Sequence, residues 1–568
     1  MCVFVCLFVI AVIKREYTLD AHPRPEENCD LVPGLHLAFG LREPDQQYEL
    51  FYKRNENGKA VEKVHTALDK GRTLYVCGVP GTGKSTAVWN GSIQWLSKQE
   101  SRCKILWIHF FKRARCVCAS IENDTARGIV IHSRIGVNAN DSLERFLDDN
   151  HGEYSALILD SINEDPQDKF ETCLNGNYRQ DRRPHIFVAS GKKSAPKPHE
   201  WDDGDLDTFE MPSWTYEDYC SACMRTDHTG TLLFEKQKSF ICGDAEMRSE
   251  AVGLDTLVGE KYYYAGGSAR WFFKTAPHDI IATIDHYLLE CDKTKLAEVD
   301  VSLRAAQTVL ALYRADRQTN EFNMPRFQYS IVSKLAMHQL VGQLDEKIML
   351  QLVGTLGRLR NPSLDGWIFE AEFIWAIERG KDFCVKGLSY DAQQTVEATA
   401  KIEASEAERF KCRLEDVPRL KEVNGKFDLK DALEKTNNAF WITSKWNQET
   451  FDLVEFRRTG IIKDDGSIDV RLIFYQLTAA LDKHEIKTKY LLEAINLFQK
   501  MKGIHVSNVQ FIGLYPEGNP EPCFFYDCRN SAFAGADNAY GITVVAVYSV
   551  YMNYLQQERN PTSSSTKK

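Results

Sequence analysis

The segment Gly78-Val-Pro-Gly-Thr-Gly-Lys-Ser85 constrains this chain more than any other stretch of its sequence. It follows a short apolar run, Thr73–Cys77, and leads into Ser85–Lys98, where Ile93 and Leu96 mark the apolar side of a helix. Strand, glycine-rich turn and helix in that order form a P-loop, in which backbone N–H groups and the helix N-terminus converge on phosphate oxygens. Gly78, Gly81 and Gly83 give the backbone its freedom, and Pro80, Thr82 and Thr86 complete the turn. Lys84 is expected on the β and γ phosphates and the Ser85 hydroxyl on Mg²⁺. The pattern fits ATP and GTP alike.

The residues that follow alternate strand and helix. Lys104–Phe110 reads as a buried strand, Val117–Ile121 and Gly128–His132 as two strands about a turn at Asn123-Asp124, and Asp141–Asp149 as a helix. Ala156–Leu159 is an apolar strand ending at Asp160, and His185–Ala189 another ending at Ser190. This rhythm predicts a parallel sheet covered on both faces, with ligands beyond the carboxyl ends of its strands. Asp160 is then the expected second magnesium ligand, held through water. The next residue is Ser161 rather than the acid that usually polarises the attacking water, so hydrolysis is expected to be slow; Glu164 is a substitute four positions on. Ser190 is placed to sense the γ-phosphate. Arg270, in Gly266-Gly-Ser-Ala-Arg270-Trp271, is placed to reach it from a lid.

From Trp214 to about Gly380 the pattern is mostly helical, with helices expected at Trp271–Leu289, Leu303–Asp316, Phe327–Val341 and Leu364–Glu378. Strands return from Phe410: Phe451–Phe456, Asp469–Thr478, Val509–Leu514 and Ile542–Tyr548, with a helix at Lys487–Lys500. The tail 558–568 has the composition of a disordered end.

Composition adds exclusions. Lys+Arg 70 against Asp+Glu 80 gives a net charge of −10, so any contact with nucleic acid has to come from a local basic face. The 16 cysteines show no regular spacing; Cys116-x-Cys118 and Cys220-x-x-Cys223 lack partners at zinc-site distance, so free thiols in a reducing compartment are expected. Cys2–Ile13 is apolar but too short to span a bilayer, and its flanks are those of a weak or truncated export signal, with Lys14-Arg15 after the run instead of before it. No stable membrane span is expected. A His-Arg-Asp loop and an Asp-Phe-Gly motif are both absent from the sequence, which excludes a protein kinase.

Phe51-Tyr-Lys-Arg54, Leu74-Tyr-Val-Cys-Gly-Val-Pro-Gly-Thr-Gly-Lys-Ser85, Pro212-Ser-Trp-Thr215, Tyr264-Ala-Gly-Gly-Ser-Ala-Arg-Trp271 and Gly366-Trp-Ile-Phe-Glu370 together resemble the C-terminal regions of Crinkler effectors. These are secreted proteins of oomycetes and some fungi, similar to the retrotransposon hot spot proteins of trypanosomes. The resemblance covers about residues 50 to 550. It implies an α/β chain in which a P-loop NTPase, with an AAA/STAND-like parallel sheet and a helical lid, precedes a restriction-endonuclease-like domain. The organisation expected is an N-terminal apolar segment and loop at 1–47, the NTPase core at 48–210, lid and linker at 211–360, the endonuclease-like domain at 361–557, and the tail. Secretion, action in the host cell nucleus, DNA or host nuclear proteins as partners, and a nucleotide-dependent homo-oligomer are implied with it. Leu7-Phe-Val9 matches only part of the translocation motif of such effectors.

An endonuclease-like fold supplies an acid from its first helix, an Asp on one strand and Glu-x-Lys on the next. Here Glu370, Asp452 and Gln476-Leu-Thr478 occupy those places in order. Asp452 is expected to hold a metal, and Gln476 to offer a carbonyl oxygen. Thr478 has no charge to replace the lysine; similar Crinkler modules follow Gln-x-Thr with a His and a Lys, here His484 and Lys487. Two outcomes stand open: a nucleotide-gated, metal-dependent nuclease, or a nucleotide-controlled binding module whose nuclease-like domain cuts nothing.

Overall fold

A computed structural model of the chain describes residues 13–19, 30–33, 48–51, 54–111, 115–124, 128–136, 146–162 without 148 and 151, 184–189, 206–226, 231–242, 253–290, 310–319, 325–352 without 346 and 350, 362–391, 394–412, 429–443, 451–477, 484–486, 488–516, 524–526 and 540–547. The chain divides into two compact units, Met1–Ala282 with Val301–Arg314, and Thr283–Asp300 with Ala315–Lys568. Both are mixed α/β.

In the first unit the elements run β1 (Ile13–Leu19), β2 (Asp30–Pro33), β3 (Tyr48–Phe51), α1 (Asn55–Lys70), β4 (Thr73–Cys77), α2 (Lys84–Ser97), β5 (Lys104–Phe111), β6 (Arg115–Asp124), β7 (Gly128–Gly136), β8 (Ala156–Ile162), β9 (His185–Ala189) and β10 (Leu206–Glu210). Eight strands form one sheet in the order β1-β7-β6-β5-β8-β9-β4-β10. From β5 to β10 every neighbouring pair is parallel, whereas β5, β6, β7 and β1 pair antiparallel. The turn-bearing strand β4 therefore lies between β9 and β10, and β9 separates it from β8.

Alternation along β4 explains the layers. Leu74 and Val76 join Val64, Leu68, Trp89, Ile93, Trp107 and Ile158 in one core, while Tyr75 and Cys77 join Leu106, Ile108, Leu159 and Phe187 in another. α1 and α2 cover the first of these faces. Gly91 lets them approach, because a Cβ there would meet Val64 Cγ1 at 3.0 Å. α1 stops at Gly71, whose φ of 65° closes the helix with its N–H on Ala67 O.

Beyond β10 come α3 (Tyr216–Cys223), α4 (Leu233–Cys242), α5 (Leu254–Ala265), α6 (Ala269–Lys274) and α7 (Pro277–Glu290). Trp271–Leu289, expected as one helix, is broken between α6 and α7. Pro277 has no N–H to continue α6 but is tolerated in the first turn of α7. No helix among the described residues is long and apolar enough to cross a membrane.

Two expected helices are corrected further on. Leu303–Asp316 contains instead β11 (Leu310–Thr319), which pairs with β12 (Pro325–Ile331). A short apolar run serves either period, and strand pairing outweighs local helical spacing here. Phe327–Val341 divides into the end of β12 and α8 (Lys334–Gln343), which Ser333 caps by accepting the Ala336 N–H at 3.1 Å.

The second unit continues with α9 (Pro362–Glu378), β13 (Phe383–Asp391), β14 (Gln394–Ile402), β15 (Glu408–Cys412), α10 (Leu429–Lys435), β16 (Asn438–Thr443), β17 (Leu453–Ile462), β18 (Ile468–Leu477), β19 (His484–Ile486), α11 (Thr488–Gln499), β20 (Ile504–Pro516), β21 (Phe524–Tyr526) and β22 (Tyr540–Val547). Its eight-stranded sheet has the order β14-β13-β22-β20-β18-β17-β16-β15 and mixes parallel with antiparallel pairs. Along β18, Leu472 and Phe474 pack with Leu491 and Phe498 of α11, whereas Ile473 and Tyr475 pack with Phe369 and Phe373 of α9. Helices thus cover both faces of the central strands.

Candidate functional sites

In the first unit the chain from β4 to α2 makes the glycine-rich turn. Gly78, Gly81 and Gly83 have φ of 141°, 81° and 92°, conformations that side-chain-bearing residues rarely adopt. Space is also closed: a Cβ at Gly78 would lie 2.5 Å from Met211 O, and one at Gly81 would strike Ser268 Oγ. Lys84 is buried and donates to Gly78 O at 2.9 Å and Val79 O at 2.7 Å. Burial, with a smaller contribution from Arg270, lowers its pKa to about 8 against the opposing effect of Cys77 and Asp160.

The side chains expected around a magnesium ion are brought together across 75 positions of sequence: Ser85 Oγ donates to Asp160 Oδ1 at 2.7 Å. Their hard oxygens fit that cation. The sequence did not single out His109, which stands level with Asp160 on the neighbouring strand β5; its Nδ1 lies 2.6 Å from Asp160 Oδ2. Asp160 is 0 % exposed, and both its oxygens are engaged. Ser161 adopts φ of 63°, and the register between β8 and β9 shifts there. Arg270 is exposed on α6, with its Cβ 3.2 Å from where a Cβ at Gly81 would stand. Ser190 and Glu164 lie outside the described residues.

A second group of residues fixes the turn from behind. Arg54, only 2 % exposed, donates to Thr82 O and Ser213 O at 3.1 Å each and to Pro212 O at 2.6 Å. It also pairs with Asp218 at 3.5 Å and lies over the Trp214 ring, 5.1 Å from its centre. Trp214 Nε1 donates to Thr82 O at 3.3 Å. Phe51-Tyr-Lys-Arg54 and Pro212-Ser-Trp214, far apart in sequence, thus meet on the carbonyl of Thr82. Nothing in either motif alone predicts that contact.

In the second unit, Glu370 lies on α9 and Asp452 just before β17. The Asp452 N–H donates to Tyr475 O at 2.8 Å, and its Oδ2 accepts the Leu477 N–H at 2.7 Å. Pairing of Leu453 with Tyr475 puts Gln476 level with Asp452 on the adjoining strand. Gln476 is 6 % exposed, and its Oε1 has no hydrogen-bond partner. Burial first, and Glu370 after it, push the Asp452 carboxyl up to about 7, while Lys334 and the Leu477 N–H pull it down. Lys334, in the first turn of α8, forms an ion pair with Glu370 Oε2, and His338 Nε2 stands 3.5 Å from the other oxygen. Neither Lys334 nor His338 was legible as a site residue, because both fall in what the sequence presents as a lid helix.

Asp452 and Gln476 carry oxygens suited to a hard cation, but Glu370 is already neutralised. Among the described residues no group of three or more His, Cys, Asp or Glu is arranged to hold a metal. Thr478 and Lys487 lie outside the described residues, and of His484 only the backbone in β19 is described. The sulfurs of Cys116 and Cys118 stand 3.8 Å apart, too far for a disulfide. No known protein-family profile matches the chain, and a search of curated proteins finds no match either.

Proposed function

We propose that the first unit is an AAA/STAND-like P-loop module that binds ATP or GTP with Mg²⁺, and that it controls a restriction-endonuclease-like module in the second, in a protein of Crinkler type acting on DNA in a host nucleus. The observation that carries the reading is the meeting of Ser85 with Asp160, 75 residues apart, beside a buried Lys84 in a turn of three positive-φ glycines. When bound, Mg²⁺ would neutralise phosphate charge; Ser85 and Asp160 are the residues that would hold it. Lys84 would exchange its two loop carbonyls for phosphate oxygens. Arg270, close to Gly81 and exerting its charge on Lys84, would reach the γ-phosphate from the helices after β10. Ser161 provides no carboxylate for water activation, which supports a slow switch over a fast motor.

A second reading has its own support: Gln476-Leu-Thr478 stands where Glu-x-Lys is expected and the net charge is −10, which favours a nucleotide-controlled binding module that cuts nothing. Plasmid nicking by the purified chain with Mg²⁺ or Mn²⁺ and ATP separates the two. The nuclease reading expects nicking by wild type, none by Asp452→Ala, and an altered nucleotide response in Lys84→Ala. Absence of nicking from all three, with nucleotide binding lost only in Lys84→Ala, would establish the binding module.

A further inference from the structure

We propose that Lys334 is the catalytic cation of the second unit, holding the scissile phosphate in the role of the lysine that Gln476-Leu-Thr478 lacks. This inference rests on the nuclease reading above. Hydrolysis of a phosphodiester gathers negative charge on the nonbridging oxygens, and a pair of carboxylates alone would repel the phosphate. The carboxylates are Glu370 and Asp452, and the cation whose charge reaches both is Lys334: it pairs directly with Glu370 and acts on Asp452. Its side chain is 11 % exposed and that of Glu370 12 %. Desolvating such a pair costs more than its attraction returns unless further partners complete it. For stability alone an apolar contact between α8 and α9 would serve as well, and a charged one points to use.

The placement is local. Ser333 caps α8 and sets Lys334 in the first turn, on the helix that packs against α9 and therefore against Glu370. His338, one turn later, stands 3.5 Å from the second Glu370 oxygen, so two residues of one helix face the carboxylate. When a phosphate arrives, Lys334 donates to a nonbridging oxygen. A water oxygen bonds to phosphorus, the bond from phosphorus to one sugar oxygen breaks, that oxygen takes up a proton, and the water's proton leaves to solvent. Nothing is oxidised or reduced.

The test uses the full chain and supercoiled plasmid with Mg²⁺ or Mn²⁺, comparing wild type, Lys334→Ala, Lys334→Met and Asp452→Ala, with binding to a short DNA duplex in EDTA as a second readout. Lys334→Met keeps the buried stem and removes the charge, so it carries the test if the alanine variant fails to fold. The expected result is nicking slowed about 100-fold or more by loss of Lys334, and duplex binding in EDTA weakened severalfold. Nicking by the Lys334 variants at the wild-type rate overturns the assignment while leaving the nuclease reading intact. Lost nicking with duplex binding unchanged assigns Lys334 to holding Glu370 only, which also overturns it. A wild type that never nicks overturns the nuclease reading and this inference together.

Discussion

His109 stands one strand away from Asp160 and engages the carboxylate oxygen that Ser85 leaves over. Both residues lie at the same level of parallel neighbours, so sheet register makes the contact and sequence distance is irrelevant to it. In the sequence His109 is one polar residue inside Lys-Ile-Leu-Trp-Ile-His-Phe-Phe, a run that says buried strand and nothing about partners. His109→Ala leaves a fully buried carboxylate oxygen without its donor, at a cost of about 1–3 kcal/mol. Thermal unfolding should show that loss, and His109→Asn, whose amide can still donate, should recover most of it. If the histidine also orients Asp160 for Mg²⁺, the alanine variant will need more Mg²⁺ to bind nucleotide. An unchanged melting temperature would mean that Asp160 finds another donor.

At the scale of elements, Arg54 ties the start of α1 to the glycine turn and to the segment before α3. Arg54→Ala takes a buried donor from three carbonyls, of which Thr82 O keeps Trp214 Nε1, and removes the charge partner of Asp218, so a loss of about 3–5 kcal/mol is expected. Arg54→Lys should rescue little, because a single ammonium cannot replace a planar fork that reaches Thr82, Pro212 and Ser213 at once. Melting curves of the variants, with nucleotide affinity beside them, measure both effects. The helices that follow contain a titrating counterpart. Lys261 of α5 is 1 % exposed and donates to Phe240 O at 2.8 Å and to Thr275 O. Burial lowers its pKa to about 7 from the ordinary 10.5. Between those values the unfolded chain holds the proton more tightly than the folded one, so this group's contribution to stability rises with pH from about 7 towards 10.5 and is constant below. Replacing it in Lys261→Met should flatten that slope. A slope unchanged by the substitution would assign the pH dependence elsewhere.

At the scale of the whole molecule, two units with separate hydrophobic cores predict two unfolding transitions in calorimetry. A ligand that binds only the native state raises the transition of the unit that holds it, by about 2.7 kcal/mol at one hundred times its dissociation constant. Mg·ATP is expected to raise one transition in wild type and none in Lys84→Ala. Transitions that ignore the nucleotide in wild type would count against the proposed role of the first unit, whatever the second one does.

The sequence by itself determined the strand, turn and helix about Gly78–Ser85, the strands that carry Asp160 and precede Ser190, and the order Glu370, Asp452, Gln476. These are local statements: glycine positions and apolar periodicity act over a few residues, so they can be read without knowing what packs nearby. The sequence failed at Leu310–Asp316 and Phe327–Ile331, where strands replace helix, because short apolar runs satisfy both periods and only a partner strand decides. Tertiary structure alone placed His109 on Asp160, Arg54 and Trp214 on Thr82, and Lys334 with His338 on Glu370. Each of these contacts pairs a polar group that folding takes out of water, and the partner is chosen by which surfaces the sheet and helices bring together, a property no local pattern records.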